Sequence, residues 1–257
     1  MDVVERMLTD GNRLFKSRSL VPLTVLPFVI LALPDSARAA AELGDTGCLV
    51  VQWLSLAVAF TGLLIRCATV AYAPDGTSSR DTRALRAPSL NTTGMYSIVR
   101  HPLYLGAGVM WIGIAMSLRV WWLVVIVALA YWIYAERLMI VEEAFLAKTF
   151  PGEFPGWAAR TNTVVPRLSG WVPASGSLQI KRLSSEHNGL LTIGVAFPLL
   201  QYLVNLRQDR LPWSEWYAQH HDVMLLLEIT VVISLVSMVL RHMRRSSAPP
   251  RESSAAG

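Results

Sequence analysis

Charge is scarce in this 257-residue chain, with Asp, Glu, Lys and Arg at 16% against 53% hydrophobic residues, and the mean hydropathy is +0.41. An ordinary soluble domain carries about 25% charged residues, so the composition predicts an integral membrane protein. Cysteine is nearly absent. Cys48 and Cys67 share one apolar run, 19 residues apart, which on a helix is roughly 28 Å and excludes a disulfide between them. Histidine is also sparse, and His220-His221 and His242 have no partner ligands at metal-site spacing, so no metal is expected and these histidines read as interfacial. The net charge of +5 does not imply nucleic acid, because the basic residues are scattered and lack the interleaved aromatics of a nucleic-acid groove.

Long apolar runs are what the chain does have. They cover roughly 20–41, 48–73, 102–118, 120–141, 188–206 and 222–240, and most meet the roughly 20 residues needed to cross hydrocarbon. The reading is an all-α polytopic membrane protein of about six transmembrane helices. The third and fourth runs are separated by the short polar break Ser117 to Arg119 and predict a tight helical hairpin. The first run has a short core, and Ala37-Arg38-Ala39 after it resembles a signal-peptidase site. A long leader bearing Asp2, Glu5 and Asp10 argues instead for a retained span.

Cytoplasmic loops retain Lys and Arg. Residues 1–20, 74–101, 142–187 and the tail from 241 hold 4, 4, 5 and 4 of them, whereas the opposite loops hold Arg38, Arg119, Arg207 and Arg210. Both termini and the loop before the third span are therefore expected on the cytoplasmic side. The sequon Asn91-Thr92-Thr93 would then never meet the glycosylation machinery.

Within that loop lies GMYSIVRHPLYLG, Gly94 to Gly106, and past the fourth span stands Glu142-Glu143. Ionisable groups at a membrane entry are costly and mark function. His101 and Arg137 are each 18 residues from Arg119, so hairpin counting sets them at similar depth, with the glutamates roughly 8 Å further out. Arg100, His101, Tyr104, Glu136, Arg137, Glu142 and Glu143 are expected to converge at one mouth. Pro102 suits a first helical position, and the helix start after His101 would favour a carboxylate or phosphate. The glutamates suit a cation or a ribose hydroxyl. Taken singly, Glu136 and Arg137 could be an interfacial pair, Glu142-Glu143 a solvated helix end, and Gly106, Gly108 and Gly113 packing contacts.

Taken together, GMYSIVRHPLYLG, ERLMIVEEAFLAKTF and EFPGWAARTNTVVPRL resemble the isoprenylcysteine carboxyl methyltransferase and phospholipid methyltransferase family, over about residues 85–168. The resemblance implies S-adenosylmethionine as cofactor, with contacts at Leu90, Asn91, Tyr96, His101, Pro102, Leu103, Tyr104 and Glu142; Arg100 and Gly106 complete the candidate set. Arg137 is the candidate substrate-facing arginine, five residues before Glu142 where prenylcysteine enzymes place theirs four before, and Glu143 is the candidate base. The acceptor would be an amphiphilic lipid or lipidated molecule taken from the bilayer, with carboxylate or phosphate O-methylation favoured over amine N-methylation. Two rivals remain at this stage: an NADPH-dependent membrane reductase on a similar scaffold, and a noncatalytic membrane scaffold.

The implied organisation is two N-terminal spans (1–73), a methyltransferase core (74–170) of motif loop, hairpin and cytoplasmic cap, a linker (171–187), a C-terminal hairpin (188–245) and a disordered tail (246–257). Pro151 and Pro155 should end the fourth helix sharply. Residues 151–170 form the expected cap, with Phe154 and Trp157 packing inward.

Overall fold

The computed structural model describes residues 3–17, 21–72, 87–208 and 210–246. The tail beyond 246 and most of the loop before Ala87 lie outside the described residues, and so do the expectations that fall on them. The described elements are helical: α1 (Val3–Ser17), α2 (Leu26–Ala71), α3 (Met95–Ile98), α4 (Pro102–Met116), α5 (Trp121–Thr149), α6 (Phe154–Arg160), α7 (Ile180–Leu183), α8 (His187–Arg207), α9 (Trp213–Gln219) and α10 (His221–Ser246), with short 3-10 turns between some of them. Four segments are long and apolar enough to cross a membrane: Leu23–Ala71, Trp121–Thr149, Ser184–Arg207 and His221–Leu240. The fold is an all-α polytopic membrane architecture.

The first two apolar runs form one 46-residue element, α2, broken at Gly44, whose φ of 65° and ψ of −179° are non-helical. The chain doubles back there, because the Cys48 thiol reaches the Ala40 carbonyl at 3.6 Å. A continuous helix would separate those residues by about 12 Å. Both arms then pack on α4. Ala32 and Leu33 of the first arm join Ala115, Leu118 and Leu123 in one core cluster, while Leu56, Ala59 and Leu63 of the second meet Met110, Ile114 and Phe197 in another.

The second arm approaches α4 closely through glycine. A Cβ on Gly62 would lie 2.4 Å from the Gly106 carbonyl oxygen, and one on Gly113 would lie 2.4 Å from the Ala59 nitrogen. Small residues bring helix backbones together where lipid supplies no hydrophobic drive between helices. Close packing follows.

The hairpin of α4 and α5 turns through Ser117 to Val120, with Arg119 at a φ of 60°. Because the turn begins at Ser117, α4 has only 15 residues, about 22 Å of helix. It is shorter than the 102–118 span expected and does not reach the length of a full crossing. α10 runs the other way, extending to Ser246 rather than ending near 240. α1, which the hydropathy pattern did not reveal, is amphipathic and lies against α5, its Gly11 closing on the Arg137 carbonyl and on Val141.

Candidate active site

His101 caps the start of α4, with Pro102 at the first helical position. Val99, just ahead of it, is extended, and the chain then bends at Arg100 to bring His101 against the end of α5. There the imidazole is buried at 5% exposure and stands between two carboxylates: Nε2 is 2.9 Å from Glu143 Oε1, and Nδ1 is 3.6 Å from Glu142 Oε2. Burial alone would depress its pKa, but hydrogen bonds and charge from Glu142 and Glu143 outweigh that and raise it above the ordinary histidine value. The protonated form is the favoured partner of two carboxylates.

Three further groups close the cluster. Tyr104 donates its hydroxyl to Glu142 Oε1 at 2.7 Å, Arg100 Nε lies 3.3 Å from Glu143 Oε1, and Arg100 Nη2 donates to the Thr163 hydroxyl. Arg100 Nε is buried yet has no hydrogen-bond partner of good geometry among the described residues. Burial and the charge of Glu142 push the Tyr96 phenol upward. Two cations and two anions thus share one half-buried site.

Residues 151–175 lie along the motif loop. α5 stops at Thr149, two residues before Pro151, and α6 starts with Pro155 in its first turn. Phe154 and Trp157 are buried, their rings edge to face at 5.8 Å, and Trp157 Nε1 donates to the Tyr96 carbonyl at 3.0 Å. Backbone bonds continue the seam: Arg100 to Asn162 at 2.8 Å, Arg167 to Ile98 at 2.9 Å and Gly94 to Val172 at 2.9 Å. Val172 N also donates to the Ser97 hydroxyl, and Gln179 N to the carbonyl of Ala71 at the end of α2. The stretch 171–187 is therefore fastened to the core rather than a bare connection.

The structure brings together most sequence-expected residues. Arg100, His101, Tyr104, Glu142 and Glu143 meet directly. Asn91 turns the chain just ahead of them, its side-chain oxygen accepting from the Thr93 nitrogen at 3.1 Å, and Leu90 precedes it in the same irregular stretch. Leu103 presents its carbonyl to Arg66 at 3.1 Å. Gly106 faces the second arm of α2, where a Cβ would meet the Gly62 carbonyl at 2.6 Å and the Arg66 Cγ at 2.7 Å. Arg137 stands apart, 3.5 Å from Glu136.

Sequence reasoning overlooked Arg66 and Glu186. Arg66 Nε donates to Glu186 Oε2 at 2.8 Å, and the carboxylate is 3% exposed. Their pairing across 120 residues of sequence left no local pattern; the signal was a lone arginine inside an apolar run. Arg66, Tyr104, Tyr131, Tyr134 and Thr24 form the polar part of an otherwise apolar cavity of about 430 Å³, walled by the segment 23–29, by α4 and α5, and by residues 196–203 of α8. Tyr131 donates to the Tyr104 carbonyl at 2.7 Å. Tyr104 thus belongs to both the cavity wall and the charged cluster.

Among the described residues no group of three or more His, Cys, Asp or Glu is placed to hold a metal ion. His220 stacks on Trp216 at 4.7 Å, and both cysteines are free thiols.

Known proteins bear on this arrangement. The chain is 37% identical over 84 residues to the nickel-cobalt-cadmium resistance protein NccN of Alcaligenes xylosoxydans xylosoxydans, and 38% identical over 88 residues to the cobalt-zinc-cadmium resistance protein CzcN of Cupriavidus metallidurans. These matches cover 33% and 32% of this chain and 39% and 37% of the relatives, so the chain spans less than half the length of either. No solved structure matches. Residues 50–153 match the family model described as phospholipid methyltransferase. That stretch contains Arg66, the turn from Arg100 to Tyr104, and both glutamates, so the similarity to phospholipid methyltransferases covers the region that builds most of the charged cluster.

Proposed function

We propose that this chain is an S-adenosylmethionine-dependent methyltransferase acting on a lipid or lipid-linked acceptor, with O-methylation of a carboxylate or phosphate favoured over N-methylation of an amine. The observation that carries the reading is the double membership of Tyr104, whose ring lines an apolar cavity while its hydroxyl is held by Glu142. A water-soluble donor and a lipid-soluble acceptor could meet at that side chain.

The residues present fit the donor. The first turn of α4 has unsatisfied backbone N–H groups, and His101 makes no side-chain cap bond to them. Beside them Arg100 Nε, ion-paired with Glu143 but without a hydrogen bond, offers a further donor to a carboxylate. Glu142 and Glu143 supply acceptors for an amine or ribose hydroxyls, and Tyr96 and Tyr104 supply rings for a positive sulfur. When bound, S-adenosylmethionine supplies an electrophilic methyl group whose leaving sulfur becomes a neutral thioether.

This chain's own contribution is then alignment and exclusion of water. His101, locked between two carboxylates, fixes the position of both glutamates. Trp157 and Phe154 shield the motif loop from solvent. In-line displacement gains most from such positioning. An anionic oxygen acceptor is already nucleophilic and needs no base, whereas an amine must lose a proton, for which Glu143 is the available group. The excess of Lys and Arg on the loops at the motif end supports a cytoplasmic position for the site and both termini.

Isothermal calorimetry on detergent-purified protein tests the reading. S-adenosylmethionine or its demethylated product should bind, and His101→Ala or Glu142→Ala should abolish binding while far-UV circular dichroism stays unchanged. Absence of binding by wild type, or preferential binding of NADPH, would overturn it.

A further inference from the structure

Among the described residues lining the cavity, Arg66 alone carries charge, and no carboxylate lines it. An arginine within an apolar span is costly unless paired. Here Glu186 takes Nε and the Leu103 carbonyl takes Nη1, and neither bond uses Nη2. Glu186 lies outside the lining, so the carboxylate that pairs with Arg66 is not itself a wall of the cavity that Arg66 helps to line. A purely structural pair of this kind is often replaceable by apolar residues. The chain instead makes room for it: a side chain at Gly106 would strike the Arg66 stem.

The cavity limits what can occupy it. At roughly 30 Å³ per water-sized group, 430 Å³ holds on the order of 14 methylenes, one medium chain rather than two. Its walls at 23–29 and 196–203 carry Leu23 and Leu199, which are 60% and 51% exposed on the outer surface of the bundle. A chain could enter from lipid between them.

We propose that Arg66 is the specificity-determining residue of the acceptor site: it binds the anionic head of a single-chain amphiphile whose tail fills the cavity, with Glu186 as its positioning residue. This rests on the methyl-transfer reading and narrows its substrate class to a singly tailed anion. The guanidinium offers a planar fork matched to carboxylate or phosphate oxygens. Glu186 offsets its net charge, so the preference comes from the N–H donors it presents, for which a protonated amine has no acceptor. The head would lie beside Tyr104, next to the charged cluster.

Equilibrium binding of radiolabelled myristate and tetradecylamine to detergent-purified protein decides the matter, with S-adenosylmethionine affinity measured on the same samples. Wild type should bind myristate at least tenfold tighter than the amine. Arg66→Gln should remove that preference, Arg66→Lys should keep part of it, and Glu186→Gln should weaken myristate several-fold. Arg137→Gln should leave it intact. A second variant, Ala130→Trp, places a large ring in the cavity from α5 with Arg66 itself unaltered and should abolish myristate binding while retaining the donor. Equal binding of acid and amine, loss of preference in Arg137→Gln alone, or undiminished myristate binding in Arg66→Gln or Ala130→Trp would each overturn the assignment. Failure of S-adenosylmethionine to bind wild type would instead sink the methyltransferase reading, so the two failures are distinguishable.

Discussion

The two ends of the α4–α5 hairpin solve the same problem differently. At the turn end, Ser117 donates to Ile114 O at 2.7 Å, Gln201 Nε2 donates to Ser117 O at 3.2 Å, and Arg119 reaches Gln201 Oε1 at 3.4 Å. Around them sit Leu118, Val120 and Leu123, essentially buried. Neutral amides and backbone satisfy one another there, and the lone cation meets an amide. At the motif end, two carboxylates, an arginine and a buried imidazole neutralise each other, while Arg100 Nε there and Arg119 Nε at the turn both lack a hydrogen bond. Closure needs only the first arrangement. Only the second gathers charges of both signs.

The largest expected contrast comes from deleting His101. His101→Ala should weaken S-adenosylmethionine binding by at least about 100-fold, since two carboxylates lose their shared cation, whereas Arg119→Ala should change it less than about twofold in calorimetry. Equal effects would erase the distinction between the ends. Next, Gly106→Ala forces a methyl group against the α2 backbone and should destabilise the protein by on the order of 1–3 kcal/mol, read as a lowered thermal midpoint. Tyr104→Phe deletes the hydrogen bond to Glu142, and donor affinity should fall roughly tenfold, within the range for a bond to a charged group.

Acidity offers a subtler probe. Because the folded pKa of His101 is raised, its stabilisation is full below the unfolded value near about 6.5 and is lost as pH rises through the higher folded value. Thermal midpoints should therefore decline across that upper window in wild type and flatten in His101→Gln. A decline of the same size in both would remove His101 as the cause. Smallest of all, Gln201→Ala at the turn end should cost about 0.6 kcal/mol, typical of interhelical polar contacts in membranes, with donor affinity unmoved.

Much of the donor end was legible because its chemistry is local in sequence. Arg100, His101 and Tyr104 fall within five positions, and reflection about Arg119 brings the glutamates within roughly 8 Å of their depth. Arg137 resisted this counting. Depth along a helix says nothing about the side it faces, and the structure pairs it with Glu136. The Arg66 and Glu186 pair was illegible for a different reason: α2 and the start of α8 meet only in the folded bundle. Apolar cavity walls are likewise indistinguishable from packing residues in a hydropathy pattern, and α1 is too polar on one face to register as a span.

Gly44 carries a consequence of another order. Were α2 continuous, its 46 residues would extend about 69 Å, more than twice a bilayer's hydrocarbon thickness. The reversal returns the end of α2 to the side from which it set out. One residue in a left-handed conformation, which most side chains resist, therefore fixes the parity of crossings. If it straightened, every later loop would be inverted with respect to α1, and the histidine with its two glutamates would face the opposite aqueous compartment.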